Sequence, residues 1–200
     1  YSITNTIAAS GGCSEASHTE NNITIYEAPQ VSCPENLNVC MDSSVLLQGT
    51  SSGATSSVVW TTTGAGTLQN ANILDAVYIP HSDDISNSPV KFYLTSDNPS
   101  GPCDEAVDSM LIYVYSVPSL NLVSDSSYCN QANGSVTVNA SGNDPFNYNW
   151  SASSQNVSVL DSLLPGNYSL TVTDVNGCTA EASTYVNNIS PGSVSLSKRD

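Results

Sequence analysis

Apolar and polar residues alternate along this chain in short runs, and nowhere do they repeat with a helical period. The runs at 45–50 (VLLQGT), 57–63 (SVVWTTT), 73–80 (ILDAVYIP), 90–97 (VKFYLTSD) and 109–116 (SMLIYVYS) have this character. So do 135–141 (SVTVNAS), 146–151 (FNYNWS), 156–162 (NVSVLDS), 167–174 (NYSLTVTD) and 179–186 (TAEASTYV). A period of two sends successive side chains to opposite faces, so each run predicts a strand with one buried face. The Gly, Pro, Asn and Asp residues between them have turn chemistry. Asn176-Gly177 predicts a type I′ hairpin turn, which needs positive φ at both central residues. Many short strands at this spacing predict an all-β chain built from β-sandwiches.

The pattern repeats. Cys13 and Cys103, Pro29 and Pro118, Cys40 and Cys129, and Trp60 and Trp150 recur 89 or 90 residues apart. ITIYEAP (23–29) aligns with IYVYSVP (112–118). Two complete units are expected, roughly 30–118 and 119–188, each with one Trp near its middle and a cysteine near either end. Residues 1–29 read as the last strands of a preceding unit, and 189–200 as a linker or the start of a following one. That is the pattern of a tandem array.

Six cysteines with no Cys-x-x-Cys pair and only two histidines fit disulfides better than zinc. Disulfides persist in oxidising compartments, so an extracellular location is expected. The repeat predicts Cys40–Cys103 and Cys129–Cys178 bonds, each pinning the last strand of a unit to its first long strand. Loops of that length stabilise by about 4 kcal/mol in the chain-entropy model, a useful supplement to the thin core of a unit of under about 100 residues. Cys13 and Cys33 are left over. Either they bond each other across the first junction, or Cys13 pairs upstream and Cys33 stays unexplained.

Composition narrows the function classes. Three basic residues face 18 carboxylates for a formal charge of −15, which excludes nucleic acid as a partner because phosphates need Lys and Arg to displace counterions. It excludes an anionic membrane surface for the same reason, and no apolar run approaches a membrane span. Ser, Thr and Asn make up over a third of the chain, yet the alternating Val, Ile, Leu and Tyr runs argue for folded strands and against disorder.

The second unit resembles the SprB-type repeat of Bacteroidota surface adhesins. The residues carrying this are DPFNYNWS (144–151) and LDSLLPGNYSLTVTDVNGCTAEAS (160–183). The first unit resembles the PKD-like, immunoglobulin-like domains of the same proteins, through SVVWTTTGAGTLQNANILDAVYIPHSDDI (57–85) and GPCDEAVDSMLIYV (101–114). The resemblance implies tandem immunoglobulin-like sandwiches within a long adhesin, exported by a type IX system and displayed as a cell-surface filament, in some relatives for gliding motility. It also implies O-glycosylation at Asp-(Ser/Thr)-apolar tripeptides, which makes Ser109 and Ser162 candidates.

Seven Asn-x-Ser/Thr triplets reflect the abundance of these residues more than glycan attachment. Asp83-Asp84 and Asp174 lie in oxygen-rich loops of the kind that can hold Ca²⁺. Neither loop supplies enough ligands alone, so solvated turns and no cofactor are expected. His18 and His81 are isolated, and neither is expected to bind metal or catalyse. Trp60 and Trp150 are expected in the cores, packed against the disulfides. Lys91 reads as an ordinary strand lysine. No Ser-His-Asp or Cys-His arrangement can be assembled, so no enzyme is expected. The expected partners are neighbouring repeat units, in one chain or as strands 1–29 donated to another sheet. A polysaccharide- or surface-binding module is the alternative, and it requires an exposed aromatic face.

Overall fold

The computed structural model describes residues 2–7, 16–21, 27–99 and 103–190. In chain order the strands are β1 (Ser2–Ile7), β2 (Ala16–Asn21), β3 (Pro29–Ser32), β4 (Leu37–Cys40), β5 (Val45–Gln48), β6 (Thr50–Gly53), β7 (Val58–Thr62), β8 (Thr67–Gln69) and β9 (Asp75–Ile79). A one-turn helix, α1 (Ser82–Ser86), precedes β10 (Val90–Ser96) and β11 (Val107–Tyr115). There follow β12 (Ser119–Asp125), β13 (Ser127–Tyr128), β14 (Gly134–Ser141), β15 (Asn147–Trp150), β16 (Val159–Leu163), β17 (Gly166–Thr173), β18 (Thr179–Val186) and β19 (Asn188–Ile189). Strands β1 and β2 pair antiparallel.

Period-two patterning builds two separate cores. Strand β10 buries Val90, Phe92 and Leu94 while the residues between them are only partly covered. These pack with Val45 and Leu47, Trp60, Ala76 and Tyr78, and Met110, Ile112 and Val114. The sheet order is β4-β11-β10-β7 on one side and β5-β9-β8 on the other, with β3 paired to β6. The second core joins Val136, Val138 and Leu160 from β12-β14-β16 to Trp150, Leu170, Val172 and Val186 from β15-β17-β18. Two sheets over one core, with the last two strands and a middle strand sharing a sheet, is the immunoglobulin-like arrangement. Each buried large apolar side chain contributes about 1.5–3 kcal/mol.

In each sandwich a short strand near the start pairs parallel with the last one: β4 with β11, and β13 with β19. Alternation alone does not reveal that direction, and it decides where the cysteines lie.

The 81–84 stretch departs from the expected solvated turn. Asp84 is fully buried. As the third residue of α1 it closes a capping box with His81, whose backbone N–H donates to its carboxylate at 2.8 Å. The Tyr78 hydroxyl and the Ala65 N–H donate at 2.6 and 2.7 Å, and the same hydroxyl accepts from Gly66 N–H at 2.9 Å. One carboxylate therefore ties the 64–66 loop and the helix start to β9. Burial alone would raise the Asp84 pKa, but the hydrogen bonds outweigh it and the net shift is downward.

A carboxyl whose folded pKa lies below its unfolded value stabilises fully above the unfolded value. That contribution is lost as pH falls through the folded one. Urea midpoints are therefore expected to drop as pH falls through and below the ordinary carboxylate range. Asp84→Asn should flatten that acid limb and cost about 1–3 kcal/mol at neutral pH. An unchanged acid limb in the variant would assign the slope to other carboxylates.

Candidate functional site

The site with the most built geometry is the junction between the sandwiches. Only Ser116, Val117 and Pro118 separate β11 from β12. Pro118 is buried, and its ring fixes φ at the crossing. Gly142, at φ 137°, lets the turn after β14 close against it. Asn143 spans the junction: its side-chain amide donates to Ser116 Oγ at 3.3 Å and to Asp174 Oδ2 at 3.2 Å, and its carbonyl accepts from Val175 N–H at 3.3 Å.

Asp174 is nearly buried and also departs from the solvated reading. Its Oδ1 accepts from the Asn176 and Cys178 amides at 2.9 and 2.8 Å. The turn it organises is closed by Gly177 N–H donating to Asp174 O at 3.1 Å. Positive φ occurs at Gly177 (83°) and not at Asn176. This is not type I′, because the carboxylate takes the amides that a two-residue turn would have arranged differently. Asp174→Ala leaves the buried Cys178 amide and the partly buried Asn176 amide without this acceptor and should lower stability by about 1–3 kcal/mol. Chemical denaturation measures it, and a loss near zero would deny the turn its dependence on this side chain.

The turn presents Cys178, fully buried and bonded to Cys40 with an S–S distance of 2.06 Å and Cα atoms 5.6 Å apart. Cys40 ends β4 opposite Tyr115, and Met41 N–H donates to Tyr115 O at 2.9 Å. The bond thus joins the place where the chain leaves the first sandwich to a turn of the second.

The expected Cys40–Cys103 and Cys129–Cys178 bonds are not formed, and Cys33, Cys103 and Cys129 are free thiols. Parallel pairing is the reason. It places Cys40 at the C-terminal end of β11, whereas Cys103 precedes that strand. A strand of this length spans about 25–30 Å, far beyond the 4.4–6.8 Å Cα separation a disulfide tolerates. Cys129, whose N–H donates to Ile189 O at 3.0 Å, is likewise separated from Cys178 by the length of β18. Antiparallel pairing would have brought each pair together.

Cys33 packs on the first core, and its backbone N–H donates to Asp108 Oδ2 at 2.8 Å. Burial, aided by the Asp108 carboxylate, pushes its thiol up to about 11. The expected Cys13–Cys33 bond involves a residue outside those described. Cys13 and the side chain of His18 lie outside the described residues.

Both tryptophans are buried, with no disulfide inside either core. Trp60 Nε1 donates to Leu74 O at 3.2 Å and Trp150 Nε1 to Val157 O at 2.9 Å. His81 Nδ1 accepts from Asp83 N–H at 3.2 Å as the helix cap. The Lys91 ammonium lies 4.8 Å from the Tyr93 ring centre.

Ser109 is exposed on β11, and its N–H donates to Asp108 Oδ1 at 2.8 Å. Ser162 is exposed with φ 59°. With Asp125, Asp161 and the exposed Tyr128 it lines an open cleft of about 740 Å³. Among the described residues no cluster of three or more His, Cys, Asp or Glu is set to hold a metal, and no helix is long and apolar enough to cross a membrane.

Sequence reasoning missed Asn143 and Ser116 as bridging groups. It also missed Asp174 as an organiser, although Asp-Val-Asn-Gly-Cys is the spacing at which one carboxylate reaches two amides.

No family model matches the chain, and no curated protein matches it. Among solved structures it is similar to the insect immune protein hemolin, at 12% identity over 94% of this chain and 56% of that one, with a TM-score of 0.48. Immunoglobulin domains 1–4 of Sidekick-1 match at 11% identity over 87% of this chain and 55% of that one, with a TM-score of 0.42. Extracellular domains 3–5 of Drosophila OTK match at 13% identity over 79% and 61%, with a TM-score of 0.41. The chain spans little more than half the length of the first two.

Proposed function

We propose that this chain is a load-bearing segment of a tandem-repeat protein, displayed outside a bacterial cell as an adhesin or filament. Residues 30–118 and 119–188 are its repeat units, 1–29 the terminal strands of a preceding unit, and 189–200 a linker or the start of a following one. The observation that carries this reading is the Cys40–Cys178 bond, which makes two successive sandwiches one covalent body. The strong negative charge keeps such a surface soluble and repels like chains. The resemblance to Bacteroidota adhesins supplies type IX export, gliding and O-glycosylation of Ser109 or Ser162. Immunogold labelling of intact parent cells, with antibody raised against the 200 residues, should decorate extracellular fibres. Label confined to the cytoplasm would end the reading.

One observation favours a polysaccharide-binding module instead: the cleft where exposed Tyr128 stands beside Asp125 and Asp161. An aromatic face with a few polar groups is the chemistry of a sugar site. Glycan-array binding that is lost in Tyr128→Ala would support this alternative, and an array without signal would remove it.

A further inference from the structure

The bond at the junction has a second, unmade copy in the same chain. Cys40 ends the short strand that pairs parallel with the last strand of its sandwich, three residues before Pro118 on the neighbouring strand's exit. Cys129 follows the corresponding short strand, β13, and its N–H donates to Ile189 O beside the exit from the second sandwich. It sits at the tip of a tight turn. Gln131 N–H donates to Tyr128 O at 3.0 Å, with φ 55° at Cys129 and 54° at Asn130, and the residue is exposed and unbonded.

The other half of the bond is duplicated as well. Cys178 lies in the connection between the last two long strands, behind the organising Asp174. Cys103 lies in the connection between β10 and β11, behind Asp97. The Asp97 carboxyl is held down at about 2 by the Ser56 hydroxyl and the Ser57 and Ser56 amides. Asp97 thus ties that connection to the start of β7, as Asp174 ties its own to Asn143.

We propose that Cys129 and Cys103 are the two open halves of the bond seen between Cys40 and Cys178, so that Cys129 links covalently to the last-connection cysteine of an abutting sandwich of this kind. The partner is a further immunoglobulin-like unit, represented within this chain by its own first sandwich. The inference rests on the tandem-repeat reading and adds to it a covalent link at every junction. Cys33 lies before β4 and packs on the first core, with its N–H on Asp108, so it corresponds to neither half of the Cys40–Cys178 bond.

Bond formation takes two thiols to one disulfide with loss of two protons and two electrons, both accepted by a small-molecule disulfide such as oxidised glutathione. The Cys129 thiolate attacks one sulfur of the oxidant and expels one glutathione thiolate. The incoming Cys103 thiolate then displaces the second, leaving the protein disulfide and two reduced glutathiones.

The test uses the whole 200-residue chain in a glutathione redox buffer, with non-reducing peptic mapping. The expected result is a ladder of head-to-tail multimers carrying a Cys129–Cys103 cross-linked peptide. Cys129→Ser and Cys103→Ser should each abolish the ladder, and Cys33→Ser should leave it intact. Predominant Cys129–Cys129 or Cys129–Cys33 peptides would overturn the proposal. So would a Cys129 that remains a thiol or a glutathione mixed disulfide while Cys40–Cys178 forms. Surface labelling without a ladder would sink this inference alone, and a ladder from a protein that stays in the cytoplasm would sink the functional reading alone.

Discussion

Reducing the chain while it is held under tension is expected to release about 450–500 Å of contour length in total, as the two sandwiches behind the bond unfold one after the other. Force follows the shortest covalent path, and in the oxidised chain that path enters at the N-terminus, reaches Cys40, crosses to Cys178 and leaves along β18. The loop it bypasses has a sequence separation of 138 residues. An extended residue spans at most about 3.3–3.6 Å, and the bonded Cα atoms are only 5.6 Å apart, so nearly the whole loop is hidden length. All the buried core side chains lie inside it except Val186 of β18.

Single-molecule pulling of the wild-type chain should therefore show little extension until a reductant is added. Cys40→Ser should show the full extension from the start. Equal extension with and without reductant would refute the covalent bypass. The mechanics differ from those of two separately stapled beads, because one bond shields two domains at once. The same loop is worth about 5 kcal/mol in the chain-entropy model, so Cys40→Ser should also lower resistance to denaturant by up to about that amount.

Truncating either tryptophan should remove most of the stability of one sandwich and little of the other. Trp60 and Trp150 are almost fully buried in separate cores, and Trp→Ala in such a site costs about 3–5 kcal/mol through lost transfer energy and the cavity left behind. Each change also leaves a carbonyl, Leu74 O or Val157 O, without its indole donor. Against the roughly 5–15 kcal/mol of a typical domain, this is a large share. Calorimetry of the reduced protein should resolve two transitions, with Trp60→Ala lowering one and Trp150→Ala the other. A single transition shifted equally by both variants would mean that the junction, and not the individual core, sets the cooperative unit.

The strands were legible because each alternating run had a core waiting for one of its faces. All ten runs read from the pattern correspond to strands, with ends differing by a few residues. Strand β12 escaped because its alternation, exposed and half-buried in turn, never reaches a fully buried position. The one-turn helix escaped because a capping box around Asp84 leaves no helical period to detect. The buried roles of Asp84 and Asp174 were illegible for a related reason. An acidic residue between strands reads as solvated until the amides that converge on it are known.

The cysteines mark where sequence reasoning stops. Their repeat spacing correctly implied equivalent places in two sandwiches, and it carried no information on which ends of the sandwiches those places occupy. Local alternation and turn chemistry are properties of a few neighbouring residues, so the chain alone determined its all-β character, its strands and its tandem organisation. The direction in which a short strand pairs with one about 75 residues away is a property of the folded packing. That direction placed Cys40 beside the exit of its own sandwich, within reach of Cys178 and a strand's length from Cys103.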